Sequence, residues 1–256
     1  MKLFDSHAHY EDSMFNDDCY ERLDEIKDSD VSFILNCCSD ESVFDTIMDI
    51  VDKYPYVYGS IGIHPHWSTT VSDNYIEKIK ELAENKKIVA LGEMGLDYYW
   101  HEPKDIQRKV FIEQLQLAKL LDMPVIIHDR EAHQDTMEIL KEYQPKAILH
   151  RYGGPVDLLQ QAFDMGMYVS FNNDLTYPEW NQPHIDCLMA TPWERMLVET
   201  DCPYAPPADQ RERRCQSEDV YNVVKQIAKL RNVSEEFVAD ITCQNAIEFY
   251  DIKQDF

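Results

Sequence analysis

The residues best able to do chemistry are histidines and acids that close short apolar runs. Near the N-terminus, Leu3-Phe4-Asp5-Ser6-His7-Ala8-His9 sets two histidines one residue apart. On a β-strand side chains repeat with period two, so His7 and His9 point to one side and Asp5 is expected to share it. Two imidazoles so placed can hold one metal ion through neutral nitrogens, or can be an incidental polar strand end. Other strand-like runs carry the matching pieces. Val89-Ala90-Leu91-Gly92 runs into Glu93, Val125-Ile126-Ile127 into His128, Ala147-Ile148-Leu149 into His150, and Leu197-Val198-Glu199-Thr200 into Asp201. Any one of these alone is more often a hydrogen-bonded core group. Gathered at one place, they would be costly to desolvate unless paired, protonated or bound to metal. Three such ligands suffice for one ion, and six fit two ions that share a bridging carboxylate, which is the equipment of a two-metal hydrolase.

Positioning six side chains this way requires parallel strands whose C-terminal ends meet. The chain of 256 residues alternates apolar strand-like runs with longer amphipathic ones. After the first run, a helix is expected from about Asp17 to Asp28 and a strand at Phe33 to Cys38. A helix follows from Asp40 to Tyr54, stopped by Pro55. Further strands are expected at Val57 to His64, Ile88 to Glu93, Pro124 to His128, Lys146 to His150, Met167 to Phe171 and Met196 to Asp201. Helices fill the gaps, among them Asp73 to Glu84 and Asp105 to Leu121. Past the last strand, a Pro-rich loop (Pro203, Pro206, Pro207) carries Arg211, Arg213 and Arg214, and helices are expected at Ser217 to Leu230, Glu235 to Ile241 and Gln244 to Tyr250. Strands alternating with helices imply parallel pairing through right-handed crossovers. Eight such units predict an α/β chain folded as one (β/α)₈ TIM barrel with extra C-terminal helices, spanning residues 1–256 as one domain. Six of the seven glycines lie in or just after strands three, four and six, and the seventh, Gly166, is placed to end a helix.

Composition narrows the partners. The hydrophobic fraction is 44% and no run approaches membrane-spanning length. The start runs directly into a strand pattern, so no secretory leader is expected. Seven scattered cysteines without a C-x-x-C pair point to reduced thiols and a cytoplasmic setting. The net charge of −24 opposes loose binding to nucleic acid or anionic membranes. A phosphate-bearing substrate would therefore need local positive charge from metal ions or placed arginines.

The motifs resemble the TatD-type metal-dependent deoxyribonucleases, within the amidohydrolase-like barrel superfamily. The resemblance rests on Asp5-Ser6-His7-Ala8-His9, Gly62-Ile63-His64-Pro65-His66, Gly92-Glu93-Met94-Gly95-Leu96-Asp97-Tyr98-Tyr99, His128 with Arg130, His150, and Glu199-Thr200-Asp201-Cys202-Pro203-Tyr204. It implies that His7, His9 and Asp201 hold one divalent ion, that His128 and His150 hold another, and that Glu93 bridges the two. Zinc, manganese, magnesium or a similar ion is implied, as is hydrolysis of phosphodiesters, commonly in DNA. Two stretches depart from the pattern. His150-Arg151-Tyr152-Gly153-Gly154 replaces the family's H-C-F-[ST]-G, and Arg214-Cys215-Gln216-Ser217 stands where an R-N-x-P-like segment is usual. Both fall where substrate would sit.

In this reading Asp201 accepts the proton of the attacking water. His64 meets the phosphate or protonates the leaving group, and Arg130, with Arg214 as a weaker candidate, pairs with a phosphate. Tyr98, Tyr99 and Trp100 either stack on a base or pack the barrel mouth, while His66, His101, His133 and His184 are expected to be non-ligands. The acidic composition favours short or single-stranded DNA ends over duplex, acted on by a monomer without an obligate protein partner. One alternative is an esterase, deacylase or lactonase that uses the same metals without needing Arg130. The other is a barrel scaffold that has lost catalysis, which would have no reason to keep six costly ligands.

Overall fold

The computed structural model describes residues 1–253, so the last three residues of the expected 1–256 unit lie outside the described residues. Eight strands form one parallel sheet in chain order: β1 (Leu3–Ala8), β2 (Val31–Asn36), β3 (Val57–Ile61), β4 (Ile88–Asp97), β5 (Val125–Arg130), β6 (Ala147–Leu149), β7 (Tyr168–Phe171) and β8 (Met196–Val198). The sheet closes where the chain leaves β8. Ala8 and Cys202 form a parallel bridge, the Asp201 amide donates to the His7 carbonyl at 2.9 Å, and the His9 amide donates to the Cys202 carbonyl at 2.7 Å. This closure forms a (β/α)₈ barrel and also brings the His7–His9 pair beside Asp201.

Helices α1 (Cys19–Ile26), α2 (Phe44–Lys53), α3 (Tyr75–Leu82), α4 (Lys104–Leu121), α5 (His133–Tyr143), α6 (Val156–Asp164), α7 (Gln182–Ala190), α8 (Val220–Arg231) and α9 (Glu235–Phe249) follow or extend the strands. Asp40 caps a short 3₁₀ turn at Glu41–Val43 ahead of α2, its side chain accepting the Ser42 amide. Gly166 (φ 81°) follows α6, as a helix-ending glycine should. The C-terminal region differs from the sequence expectation, because α9 is one helix where two were expected. The Thr242 hydroxyl donates to the Val238 carbonyl at 2.8 Å within the helix, and Thr242 and Cys243 are both buried, so the polar stretch is absorbed instead of breaking the helix.

The strands' alternation divides the core in two. Leu91, Val125, Ile127, Ala147, Leu149, Val169 and Val198 pack outward against the helices. Phe4, Leu35, Ala90, Ile126, Ile148 and Leu197 form a second apolar cluster with Ala246, Phe249 and Tyr250 of α9 and its end. Two residues further along β5 and just past β6 on this same inward parity stand His128 and His150, so these ligands are placed by simple period-two repetition. Glu93 breaks the rule. Leu91 and Met94 both belong to the outer cluster, and the β4–β5 register shifts between them, so the extra residue turns Glu93 inward. A similar shift lies between Asp5 and Ala8 in the β1–β2 pairing.

Gly95 fixes the distance between β4 and β5. It pairs with His128 at φ 149°, and a Cβ built there would stand 1.9 Å from the His128 carbonyl oxygen. Backbone cannot yield as a flexible side chain can. Gly95→Ala is expected to cost more than about 2 kcal/mol of stability, read as a lowered urea midpoint, and to displace His128, read as reduced bound metal.

Candidate metal centre

His7 and His9 leave β1 with their Nε2 atoms 3.0 Å apart, facing each other. The Oδ1 of Asp201 lies 3.8 Å from one and 3.6 Å from the other, and the three ligand atoms fall within 4.8 Å of one another. Glu93 stands between this group and a second one. Its Oε2 lies 3.3 Å from His7 Nε2 and 3.7 Å from His9 Nε2. Its Oε1 lies 2.7 Å from His128 Nδ1 and 2.8 Å from His150 Nε2. Each oxygen of one carboxylate thus addresses a different histidine pair, which is how a bridging ligand is placed. All six predicted ligands come together.

The histidines are oriented from behind by acids. His9 Nδ1 meets Glu11 Oε1 at 2.8 Å, His128 Nε2 meets Asp97 Oδ2 at 2.8 Å, and His150 Nδ1 meets Glu199 Oε1 at 3.3 Å. Each carboxylate is itself tied down. Asn36 donates to Glu11, the Tyr99 amide to Asp97, and Ser170 to Glu199. Such backing fixes which imidazole nitrogen faces an ion and raises its basicity. Sequence reasoning missed all three acids. The signals were present, since Glu11 repeats the spacing of His7 and His9, Glu199 precedes Asp201 by the same two residues, and Asp97 lies in the motif containing Glu93.

The residues present fit divalent ions. The Nε2 of His7 points at the Nε2 of His9 at 3.0 Å, with carboxylate oxygens of Glu93 and Asp201 at 3.3 and 3.8 Å. Among protein atoms alone this arrangement satisfies little, whereas a cation between the two Nε2 atoms and the two carboxylate oxygens gives each lone pair a destination. Electrostatics agree. Burial pushes the Glu93 carboxyl up, but the imidazoles of His150, His64 and His7 and the hydrogen bond from His128 outweigh it and hold the group well below the usual range. Asp201 is likewise held low, burial being overcome by His9 and by the Arg151 guanidinium. Burial pulls His9, His128 and His150 down, and their facing carboxylates outweigh it and raise all three.

His64 also joins the cluster. Its Nε2 is 3.8 Å from Glu93 Oε1, its ring meets that of His128 edge-on at 4.3 Å, and its ligand atom lies within reach of those of Glu93 and His128. The sequence reading gave it no metal partner. The geometry makes it a neighbour of the second ion's ligands. Its Nδ1 accepts the His66 amide at 3.1 Å, which leaves the proton on Nε2, and burial together with the charge of His128 lowers its pKa to about 3.

Other expected residues fall elsewhere. The Arg130 guanidinium lies over the Tyr99 ring at 3.7 Å. Arg214 donates to the Met14 carbonyl and to Asp18 and covers Phe15, so it braces the turn that leads into α1 and makes no hydrogen bond or ion pair to the cluster among the described residues. Asp5 does not join the ligands. Its carboxylate accepts the Thr200 amide at 2.8 Å, the Thr200 hydroxyl at 2.7 Å and the Ser217 hydroxyl at 2.6 Å, and burial pushes it up to about 7. The local register shift is why period two misplaced it. His66, His133 and His184 face Glu102, Asp129 and Asp174 instead of the cluster, and His101 is exposed. Tyr99 and Trp100 are exposed at the mouth, while Tyr98 donates to Asp135 at 2.6 Å.

Ions must displace protons from His9, His128 and His150, whose proton affinity exceeds that of free imidazole. Below their raised pKa values protons compete with the ion, and above them competition ends. Metal affinity is therefore expected to climb as pH rises through the region above 6.5, with protons released on binding. Calorimetric titration of Mn²⁺ in buffers of different ionisation enthalpy measures both. Asp97→Asn, which removes the charge behind His128, is expected to weaken metal binding by about 10- to 100-fold.

Comparison with known proteins fits this centre. The family described as TatD related DNase matches residues 4–251. The chain is similar to the uncharacterized metal-dependent hydrolase YabD of Bacillus subtilis, with 35% identity over 98% of this chain and 99% of that one. It is also similar to the human 3'-5' RNA nuclease TATDN2, with 33% identity over 78% of this chain but 27% of that protein. The crystal structure of the TatD homologue YjjV from Escherichia coli superposes with a TM-score of 0.92 at 25% identity, covering 98% of both chains. Among the described residues no helix is long and apolar enough to cross a membrane. The protein belongs to the TatD-related DNase family of metal-dependent hydrolases.

Proposed function

We propose that the chain hydrolyses phosphodiester bonds of nucleic acid, acting on short or single-stranded ends and using two divalent ions. The observation that carries this reading is Glu93, each of whose oxygens faces its own histidine pair. His7, His9 and Asp201 would hold one ion, His128 and His150 the other, with Glu93 between them. When bound, such ions supply an activated water near neutral pH and neutralise charge on the phosphoryl group. Asp201 is assigned to accept the water's proton, its Oδ1 facing the His7–His9 pair and its Oδ2 accepting from Arg151 at 2.8 Å. His64 carries its proton on Nε2 and is assigned to donate it as a hydrogen bond to a phosphoryl oxygen. A neutral ring with so low a proton affinity suits that role better than protonating the leaving group.

Support for nucleic acid comes from the family and from the human relative, named an RNA nuclease. Tyr99 and Trp100 offer exposed aromatic faces on the loop after β4, suited to stacking unpaired bases. A hydrolysis screen on the metal-loaded enzyme separates the readings. Single-stranded DNA and RNA oligonucleotides are expected to be cleaved faster than duplex, and nitrophenyl carboxylic esters slowly or not at all. Rapid turnover of the carboxylic esters alone would replace the nuclease by an esterase or lactonase. Glu93→Ala is expected to lose bound metal and more than about 1000-fold in kcat; undiminished turnover would remove the bridge from the mechanism.

A further inference from the structure

The acidic chain needs positive charge where a phosphate would lie, and neither arginine singled out from the sequence meets the metal ligands. A third one does. Arg151 directly follows His150, and its Nη1 donates to Asp201 Oδ2 at 2.8 Å. The opposite edge of the guanidinium grips Asp174, through Nε to Oδ2 at 2.6 Å and Nη2 to Oδ1 at 3.3 Å. Both carboxylates are almost wholly buried, whereas 38% of the arginine side chain is exposed.

Three of the five guanidinium N–H bonds are thereby used, leaving one donor on each terminal nitrogen. The cation is therefore fixed in place, partly open to the barrel mouth, and one carboxylate away from the His7–His9 pair. The backbone supports the same view. Arg151 adopts φ 47°, a left-handed conformation that costs a non-glycine residue energy and persists where its surroundings enforce it. Two residues on, a Cβ on Gly153 would lie 2.4 Å from the His184 ring, so this loop packs closely against α7. An arginine that only braced two loops would have no need of an open face beside the ion ligands.

From this geometry we infer that Arg151 is the phosphate-binding guanidinium of the site and sets its preference for anionic phosphodiesters over neutral carboxylic esters. Asp174 and Asp201 hold the fork, so little side-chain freedom remains to be lost on binding. Ion binding at Asp201 removes the carboxylate charge that otherwise offsets the arginine, so the cation becomes available when the site is loaded. This inference rests on the phosphodiester reading above and names the group that would enforce it.

The test uses Mn²⁺-loaded wild type, Arg151→Met and Arg151→Lys, with bound metal and thermal midpoint measured for each. Inorganic phosphate is titrated calorimetrically, and KM and kcat are read on a single-stranded oligonucleotide. Arg151→Met is expected to keep its metal, to bind phosphate about 10- to 100-fold more weakly, and to raise KM by a similar factor with a smaller change in kcat. Arg151→Lys keeps the charge without the fork and should recover part of the phosphate affinity. Unchanged phosphate affinity and KM in Arg151→Met would overturn the inference, and so would loss of metal, which would make the residue a brace for Asp201. Should Arg151→Met fold poorly, Arg151→Lys and Asp174→Asn, which frees one edge of the fork, must each weaken phosphate binding, and unaltered binding in both would overturn it equally. A wild type that binds phosphate through Arg151 yet cleaves only carboxylic esters would sink the nuclease reading and leave the binding site standing.

Discussion

The centre depends on a single carboxylate being shared. Glu93 is buried, low in proton affinity and within 4 Å of imidazoles on two sides. A buried acid in that position would be expensive if its only compensation were neutral hydrogen bonds. Imidazoles that take up protons, or cations that replace those protons, turn the expense into an attraction. Much of the architecture around it can be understood as holding those imidazoles in place. The β1–β8 closure aligns His7 and His9 with Asp201, and period-two repetition along β5 and β6 delivers His128 and His150.

The layer behind the ligands is as ordered as the ligands. Glu11, Asp97 and Glu199 each occupy the far nitrogen of one histidine, and each is anchored in turn by a strand or loop group. This makes the tautomer of three rings a property of the fold. His7 is the exception. Its far nitrogen has no partner, yet its ring stacks on that of His150 at 4.1 Å, nearly parallel, so it is placed by packing where its neighbours are placed by charge.

The barrel could be read in the sequence from the alternation of its elements, and the gathering of His128 and His150 at its mouth from period-two repetition and the convergence of parallel strand ends. What could not be read follows from departures from periodicity. The shift between Leu91 and Met94 turns Glu93 inward, and the one after Asp5 diverts that acid to Thr200 and Ser217. Neither is visible in a pattern of apolar and polar letters. The arginines show a second limit. Arg130 ends β5, while Arg151 and Arg214 lie in loops after strands, and the sequence pattern alone cannot say which guanidinium folds back. A nearby aromatic face holds Arg130, the turn before α1 holds Arg214, and of the three only Arg151 finds carboxylates leading to the centre.

The charge distribution then carries a consequence for how a polyanion is met. A body of net charge −24 repels nucleic acid at long range. On the proposed function, attraction would be generated at contact distance, by bound ions and by the Arg151 cation, whose charge Asp174 and Asp201 offset. Such a site gains little from a long phosphate backbone, because each extra phosphate lies against acidic surface. On the proposed function it would gain most from one phosphate presented at a free end with an unpaired base beside it. Exposed Trp100 and Tyr99, the latter under the Arg130 cation, are aromatic surfaces that such an end could meet without adding to the repulsion. The acidity of the chain and a guanidinium held at its mouth are thus compatible with the proposed function, the first opposing extended polyanions and the second suited to a single phosphate.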